Sequence, residues 1–422
     1  MTTIGLAGAG TIGSGLIRLL ATAPAAQDLR LKTVLVRDAG KPRPGLPPGT
    51  VVTTRADDLI DDPEIDVVVE LLGGVDEAFR VVSRALGAGK AVVTANKNLL
   101  AERGPELFAL AARHGVALGF EASVCGGIPV IRVLQESLRA DRVTAIEGIV
   151  NGTTNYLLTR MSEERASYHD CLADAQRLGF AEPDPDYDVS GKDAVCKAGI
   201  LATLAFGAYV DFRKVPTSGI ESLDLEDVRQ AEAMGYRIKL VASARRTGRG
   251  RLDAQVGPVL LPLDHPLSSI RMEYNAVLIE SEGLVKTLAS GKGAGAAPTS
   301  VSLLADLLDI AEGRARVPGA DHAFLGAPIE LAGPEGAPSR YYLRMSVPDR
   351  PGILAQVAGL FATHDISIAS VLQPEVPDSA GTSLVPLILT THGTTRNRLD
   401  RVLASLADEG WGRSVVLRIQ ES

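Results

Sequence analysis

Cysteine is scarce in this sequence. Cys125, Cys171 and Cys196 stand far apart in a chain of 422 residues, so neither a disulfide framework nor a paired-cysteine metal knuckle can be built from them. No apolar run reaches 18 residues, which excludes a helix that spans a membrane. Positive charge is outweighed: 43 basic against 51 acidic residues leave a net charge of −8, a poor basis for general nucleic-acid binding. The opening MTTIGLAGAG has no basic region and no apolar core of signal length, so the expected location is the cytoplasm. Lysine is also rare, with ten residues beside 33 arginines. In such a chain each lysine raises the question of why it is not arginine. Arginine keeps its proton at any working pH, whereas lysine can be tuned to release it.

What is present suffices for two or three domains with sizeable cores, since 45% of residues are apolar and 22% charged. Up to about residue 125, apolar strand patterns at 4–7, 31–36, 66–71, 91–94 and 116–120 alternate with helical patterns at 12–21, 76–86 and 105–114. Such alternation predicts a parallel sheet covered on both faces. The Pro/Gly-rich stretch 42–50 reads as loop. A middle region follows with helices expected at 128–138, 168–178, 193–206 and 299–310, the last capped by Thr299, and strands at 143–150, 254–261 and 276–282. Residues 325–338 read as a linker. Beyond it the order is strand 341–347, helix 351–363, strands 366–372 and 384–390, helix 396–406 and strand 415–419. That βαββαβ order predicts a ferredoxin-like unit.

Four constellations carry chemistry. Gly8-Ala9-Gly10-Thr11-Ile12-Gly13 follows a strand and opens a helix, the context that makes GxGxxG a dinucleotide fingerprint. A Gly-rich turn that binds nothing is the bland alternative. The next strand ends in Arg37-Asp38, followed by Lys41 and Arg43. An acid there suits a ribose 2′-hydroxyl and an arginine a 2′-phosphate. The extra cations favour NADP, while a solvated basic loop and NAD stay open. Thr94-Ala95-Asn96-Lys97 lies at the C-terminal end of an expected parallel strand, where open α/β sheets hold ligands; an ordinary surface lysine is the alternative. Glu121 to Pro129 runs from a strand through a Gly-rich turn into a helix. Inward carbonyls with Glu121 can hold a monovalent cation, although on the residues alone a plain turn is the simpler account.

The fourth constellation is Glu182, Asp184, Asp186, Asp188, Lys192, Asp193 and Lys197. A calcium loop fails, because Val189 and Val195 stand where glycine and glutamate are needed. With Ser190 as cap, Asp193 can be a capping-box acid. Alternatively Asp193 and Lys197, four apart, share one face of an otherwise apolar helix. A lysine carried into a buried place needs a reason, and proton transfer is one.

These pieces occur together, in order, in one family. GAGTIG, TANK, EASVCGGIPVI, NGTTNY, GFAEPDPDYDVSGKDAVCK and GKGAGAAPTS resemble the motifs of homoserine dehydrogenases over essentially the whole chain. The unit carrying Asp349-Arg350-Pro351-Gly352-Ile353-Leu354 resembles an ACT domain. The resemblance implies a Rossmann-type doubly wound parallel sheet at 1–128, with helix 299–312 packing back onto it, an α+β catalytic and dimerisation domain at 129–325, a linker at 326–339 and a regulatory ACT domain at 340–422.

It further implies Lys197 as proton donor and acceptor, with Lys97 assisting beside the nicotinamide. Glu182, Asp193, Asp188 and Thr153 would hold the substrate. Gly8, Gly10, Thr11, Ile12, Gly13, Arg37, Thr94, Gly179, Gly293 and Gly295 would join Lys97 and Glu182 around NADP or NAD. Glu121 and the carbonyls of Val124, Gly126 and Ile128 would hold sodium or potassium. The implied reaction interconverts aspartate 4-semialdehyde and homoserine. The implied partners are a second copy of the chain and a threonine effector near the turn 349–352, with neither nucleic acid nor membrane. Two other classes stay in view. One is another amino-acid dehydrogenase on the same scaffold; the other is a nucleotide-sensing regulator without activity. Deletion from about residue 338 is expected to leave catalysis intact, since every named catalytic residue precedes it.

Overall fold

The computed structural model describes residues 1–333, 336–374, 384–409, 411 and 414–420. Residues 334 and 335 of the expected linker therefore lie outside the described residues. The chain divides into two compact units. One holds 1–152, 193–215 and 273–329, the other 153–192, 216–272 and 330–422.

The first unit opens with six strands: β1 Thr2–Ala7, β2 Leu29–Leu35, β3 Val51–Thr53, β4 Val67–Glu70, β5 Ala91–Thr94 and β6 Leu118–Gly119. They form a sheet in the order β3-β2-β1-β4-β5-β6 with parallel pairings throughout. The order reverses between β1 and β4, which opens a crevice at their C-terminal ends. β4 is buried at all four residues, as a strand covered on both faces must be. Leu16 and Ile17 of helix Thr11–Thr22 pack on Ile4, Leu6, Val67 and Val69. Leu303, Leu304 and Leu307 of helix Ala296–Ala311 enter the same core. Gly15 permits that approach, since a Cβ there would lie 2.6 Å from Ser300 Oγ.

Several expected boundaries move. The helix expected from 105 starts eight residues earlier, at Lys97, and carries Pro105 inside. Asn96 caps it by accepting from the Leu99 amide at 3.0 Å, and tertiary packing tolerates the bond that proline cannot make. The helix ascribed to a Thr299 cap starts at Ala296, with Gly295 at the N-cap and Thr299 buried inside. The stretch 128–138 is one helical turn, Val130–Arg132, followed by a π-helical segment, Val133–Ser137.

The next strands are β7 Val143–Ile149, β8 Tyr236–Arg246, β9 Leu252–Pro262, β10 Tyr274–Ser281 and β11 Val285–Lys292. In the first unit β10 pairs antiparallel with both β11 and β7. The second unit holds β8 and β9, antiparallel along eleven residue pairs, then β12 Arg340–Pro348, β13 Ile368–Leu372, β14 Leu384–Thr391 and β15 Val415–Ile419. Helices Ile353–Thr363 and Arg396–Asp408 complete the βαββαβ order. Val357, Phe361, Leu399, Val402 and Leu406 from those helices close the core over Leu343, Met345, Leu387 and Leu389.

This C-terminal unit is fastened to what precedes it. β15 pairs in parallel with β9 at Arg418↔Val259 and Ile419↔Leu260. Asp227 of helix Leu225–Ala233 is fully buried. It accepts both Arg344 Nε at 2.7 Å and the second guanidinium nitrogen at 2.8 Å, and the Tyr342 hydroxyl at 3.0 Å. The linker is not slack either: the Leu252 amide donates to the Glu330 carbonyl, and the Ala332 amide to that of Leu252.

Candidate active site

The Gly-rich turn is built as its spacing requires. Gly8 has φ +106°, and a Cβ there would lie 2.5 Å from the Leu71 carbonyl oxygen. A Cβ on Gly13 would lie 2.2 Å from the Gly8 carbonyl oxygen. Gly10 differs: a Cβ would meet nothing within 4 Å. Gly10 is also the N-cap of helix Thr11–Thr22 and offers no side-chain cap, so the first amides face an open space suited to a pyrophosphate. A dinucleotide fits this cradle. At the end of β2, Asp38 accepts from the Gly40 amide at 2.9 Å. The exposed side chain of Arg37 makes no hydrogen bond or ion pair among the described residues.

Thr94, at the C-terminus of β5, is engaged internally. Its hydroxyl donates to Glu70 Oε2 at 2.6 Å and accepts from the Asn96 amide at 3.0 Å. Glu70 is fully buried, and burial pushes its carboxyl up against the hydrogen bonds from Thr94, Leu72 and Asn96. This arrangement fixes the turn that delivers Lys97.

Lys97 reaches Asp193 Oδ1 at 3.1 Å. Lys197 donates to Asp193 Oδ2 and to the Val150 carbonyl, both at 2.7 Å. The Asn151 amide donates to Asp193 Oδ2 at 2.8 Å. Asp193 is buried, and burial alone would raise its pKa. The charges of Lys197 and Lys97, with hydrogen bonds from Lys197 and Asn151, outweigh that and hold it at about 2. The capping-box reading is thereby overturned: Ser190 donates to the Asp186 carbonyl and Asp193 faces the lysines.

Other implied substrate residues belong to the second unit. The Thr153 hydroxyl donates to the Phe180 carbonyl at 2.7 Å and lies 3.1 Å from Asp188 Oδ2. Gly179 ends helix Tyr168–Leu178 in the left-handed conformation, φ +78°. Glu182 is exposed on the loop that follows, while Asp186 pairs with Lys192 at 2.5 Å.

The loop of Gly293 and Gly295 packs on the Gly-rich turn after Glu121. Cβ atoms on Gly126 and Gly127 would lie 2.9 Å from the Gly293 carbonyl oxygen and 2.7 Å from that of Lys292. Three of the four implied cation ligands already accept hydrogen bonds. Glu121 is buried and accepts the Ile131 and Arg132 amides, each at 2.9 Å. The Gly126 carbonyl accepts Ser302 Oγ at 2.6 Å, and that of Ile128 accepts the Val130 amide. Burial pushes Glu121 up to about 7, against the hydrogen bonds it accepts from the helical turn Val130–Arg132. No group of three His, Cys, Asp or Glu suited to a metal occurs among the described residues.

Three residues here were not singled out from sequence: Asn151, Glu70 and the Val150 carbonyl. Only Asn151 left a trace, as the first residue of NGTTNY. The cysteines stay out of the chemistry. All three are free and buried, and burial raises the thiol of Cys125 and pushes that of Cys171 up to about 11.

A Gly-rich turn at the switch point of a parallel sheet, with two lysines converging on a buried carboxylate at the end of β5, defines a dinucleotide-dependent oxidoreductase. Residues 8–121 match the family model of the homoserine dehydrogenase NAD binding domain, 129–308 that of homoserine dehydrogenase, and 341–410 that of the ACT domain. The chain belongs to the homoserine dehydrogenase family. It is 41% identical to a homoserine dehydrogenase of Pseudomonas aeruginosa, over 99% of this chain and 98% of that one. A crystal structure of a homoserine dehydrogenase from Thiobacillus denitrificans superposes with a TM-score of 0.89 at 37% identity, covering 100% of this chain and 98% of that one. A hyperthermophilic archaeal homoserine dehydrogenase in complex with NADPH superposes with a TM-score of 0.64 at 26% identity, covering 75% of this chain and 99% of that one.

Proposed function

We propose that this chain interconverts L-aspartate 4-semialdehyde and L-homoserine with a nicotinamide dinucleotide, and that Lys197 handles the proton. The observation that carries this reading is the Lys97–Asp193–Lys197 cluster, in which one buried carboxylate orients two ammonium groups. The bound dinucleotide supplies or takes the hydride at the carbon that bears the substrate oxygen. As charge develops on that oxygen, Lys197 donates a proton, and in the reverse direction it takes one back. Asp193 and the Val150 carbonyl hold the Lys197 ammonium in place, so Asp193 is assigned to orientation of the lysines. Lys97 adds positive charge beside the reacting centre. Glu182, exposed and acidic, is assigned to the substrate ammonium, with Thr153 and Asp188 shaping the loop that carries it.

Gly8, Gly10, Thr11, Ile12 and Gly13 are assigned to the pyrophosphate, and Gly179, Gly293 and Gly295 to the remainder of the dinucleotide. NADP is preferred over NAD: Asp38 is held in its own turn while Arg37 is exposed, and the archaeal relative was solved with NADPH. No step is routed through a cation.

The functional domains are placed at 1–128, 129–325 and 340–422, intervals that contain the three family-model matches. The chain is assigned to a homo-oligomer, a dimer at least: edge strand β11 and its turn leave Leu284, Val285 and Leu288 exposed. The ACT domain is assigned to feedback control, with threonine as the candidate effector. Free, buried cysteines suit the reducing cytoplasm. Among the described residues no helix is long and apolar enough to cross a membrane.

The deciding experiment follows NADPH oxidation with aspartate 4-semialdehyde. Turnover is expected with this substrate and not with analogues that lack the 4-aldehyde. No turnover by folded, NADPH-binding protein would overturn the reading.

A further inference from the structure

Asn275 stands on β10 next to two segments that the reaction needs in register. Across the sheet it faces Gly291 of β11, and the next residue, Ala276, faces Ile149 at the end of β7. Just beyond Gly291 comes Gly293, assigned to the dinucleotide. Just beyond Ile149 come the Val150 carbonyl, which holds Lys197, and Asn151, which holds Asp193. Asn275 itself is only 1% exposed.

Hydrogen bonding does not account for an amide at this position. Nδ2 donates to the Cys125 thiol at 3.6 Å, and Oδ1 has no donor among the described residues. A buried carboxamide so poorly partnered is rare, because its desolvation is uncompensated. Close contact is what distinguishes the position. A Cβ on Gly293 would lie 2.2 Å from both Cγ and Nδ2 and 2.6 Å from Oδ1 of Asn275, its three nearest neighbours. Gly293 is not among the glycines of positive φ, so space alone bars a side chain there. Oδ1 would also lie 3.6 Å from a Cβ on Gly152, the residue after Asn151. A flat carboxamide packs against main chain in this way, where the branched end of a leucine would not.

We propose that Asn275 is a positioning residue: its carboxamide is the spacer between the Gly293 turn and segment 150–152, and so sets the dinucleotide against the Lys197 ammonium. The inference rests on the assignment of Gly293 to the dinucleotide and of Lys197 to the proton.

The thiol that Asn275 touches belongs to the same packing. Burial raises it, and the charges of Lys197 and Asp193 act on it as well. Cys125 has a left-handed backbone, φ +52°, and a Cβ on the next residue, Gly126, would lie 2.9 Å from the Gly293 carbonyl oxygen. Gly293 therefore touches both this turn and the carboxamide, with no side chain of its own to lock it. Hydride and proton transfer need both donors in place together, and a displacement of about 1 Å costs on the order of a hundredfold in rate. A shortened spacer thus acts on kcat without touching a reacting atom.

The test is a double-variant cycle on the full-length protein, read by NADPH fluorescence and by steady-state turnover. Gly293→Ala is expected to weaken NADPH by about tenfold or more. Asn275→Ala removes all three atoms that the new methyl would meet, so the double variant is expected to recover most of that affinity. Asn275→Ala alone is expected to bind NADPH within several-fold of wild type and to lose kcat by about tenfold or more. Its isotope effect with NADPH deuterated at C4 is expected to rise, because hydride transfer then limits turnover. Asn275→Ser, which shortens the side chain less, is expected to show the same pattern in milder form. Losses that simply add in the double variant, or wild-type kcat in folded Asn275→Ala or Asn275→Ser, would overturn the spacer alone. Wild-type NADPH affinity in Gly293→Ala would instead take Gly293 away from the dinucleotide, and the inference with it.

Discussion

At the scale of single residues the lysines explain themselves. Five of the ten, Lys32, Lys90, Lys97, Lys197 and Lys239, are wholly or partly buried, where a compact ammonium takes less room than a guanidinium fork. Lys197 is the clearest case, since its two short bonds run to a carboxylate and a main-chain carbonyl. Lys197→Arg keeps the charge but cannot exchange a proton at working pH. Turnover is expected to vanish while NADPH binding, followed by fluorescence, survives. Near wild-type kcat in this variant would remove Lys197 from proton transfer. Arg37→Ala is expected to weaken NADPH more than NADH; equal losses would move the preference to NAD and promote Asp38. Lys239 supplies a pH test. It is buried, donates to Asn155 Oδ1 and the Ile270 carbonyl, and burial, with Arg237 and Arg271 adding to it against Glu163, pushes it down to about 7 from 10.5. Between those two values the unfolded chain binds a proton that the folded chain does not, so stability rises with pH through this window. Lys239→Met is expected to remove that rise. Denaturant melts at neutral and alkaline pH check it, and an unchanged slope would mean that the ammonium is not held down.

At the scale of elements, legibility followed the source of the signal. The parallel strands were readable because a strand covered on both faces is an unbroken apolar run, as in Val67–Glu70. The face shared by Asp193 and Lys197 was readable because both lie on one helix. Less readable were elements whose determinants are distant in sequence. Helix Lys97–His114 hid its first eight residues behind Pro105, which local propensity treats as a break. Strand β8, YRIKLVASARR, was missed because its alternation is weak and its eleven-residue pairing with β9 is tertiary. Glu70 and Asn151 matter through partners 24 and 42 residues away, which no local pattern reports. The Gly-rich turn allows a test at this scale. A Cβ on Gly13 meets the Gly8 carbonyl, while one on Gly10 meets open space. Gly13→Ala is therefore expected to lower stability, by about 1–3 kcal/mol. Gly10→Val is expected to leave the melting temperature unchanged and to weaken NADPH by about tenfold or more. Wild-type NADPH affinity in folded Gly10→Val would take the pyrophosphate away from this turn.

At the scale of the whole molecule, the sequence suggested a detachable C-terminal domain behind a linker, and the structure differs. β15 adds to the edge of β9, so its removal leaves β9 with unpaired backbone groups. Asp227, fully buried, takes its charge partner from Arg344 and a further hydrogen bond from Tyr342, both on β12. Cutting at residue 338 strips all three at once. Breaking a buried ion pair by removing one partner costs about 3–5 kcal/mol, a large share of the stability of an ordinary domain. The truncated chain is therefore expected to melt well below the full chain and to aggregate through β9, with activity lost through instability although Lys97, Asp193 and Lys197 remain. The cause is separable from the deletion itself. Arg344→Met in the full chain is expected to be strongly destabilising, and the double variant Asp227→Asn with Arg344→Met less so, because no buried charge is then left unpaired. Denaturant unfolding of the four proteins in this cycle gives the coupling. A protein ending at 338 that melts with the full chain and turns over at its rate would restore the detachable domain.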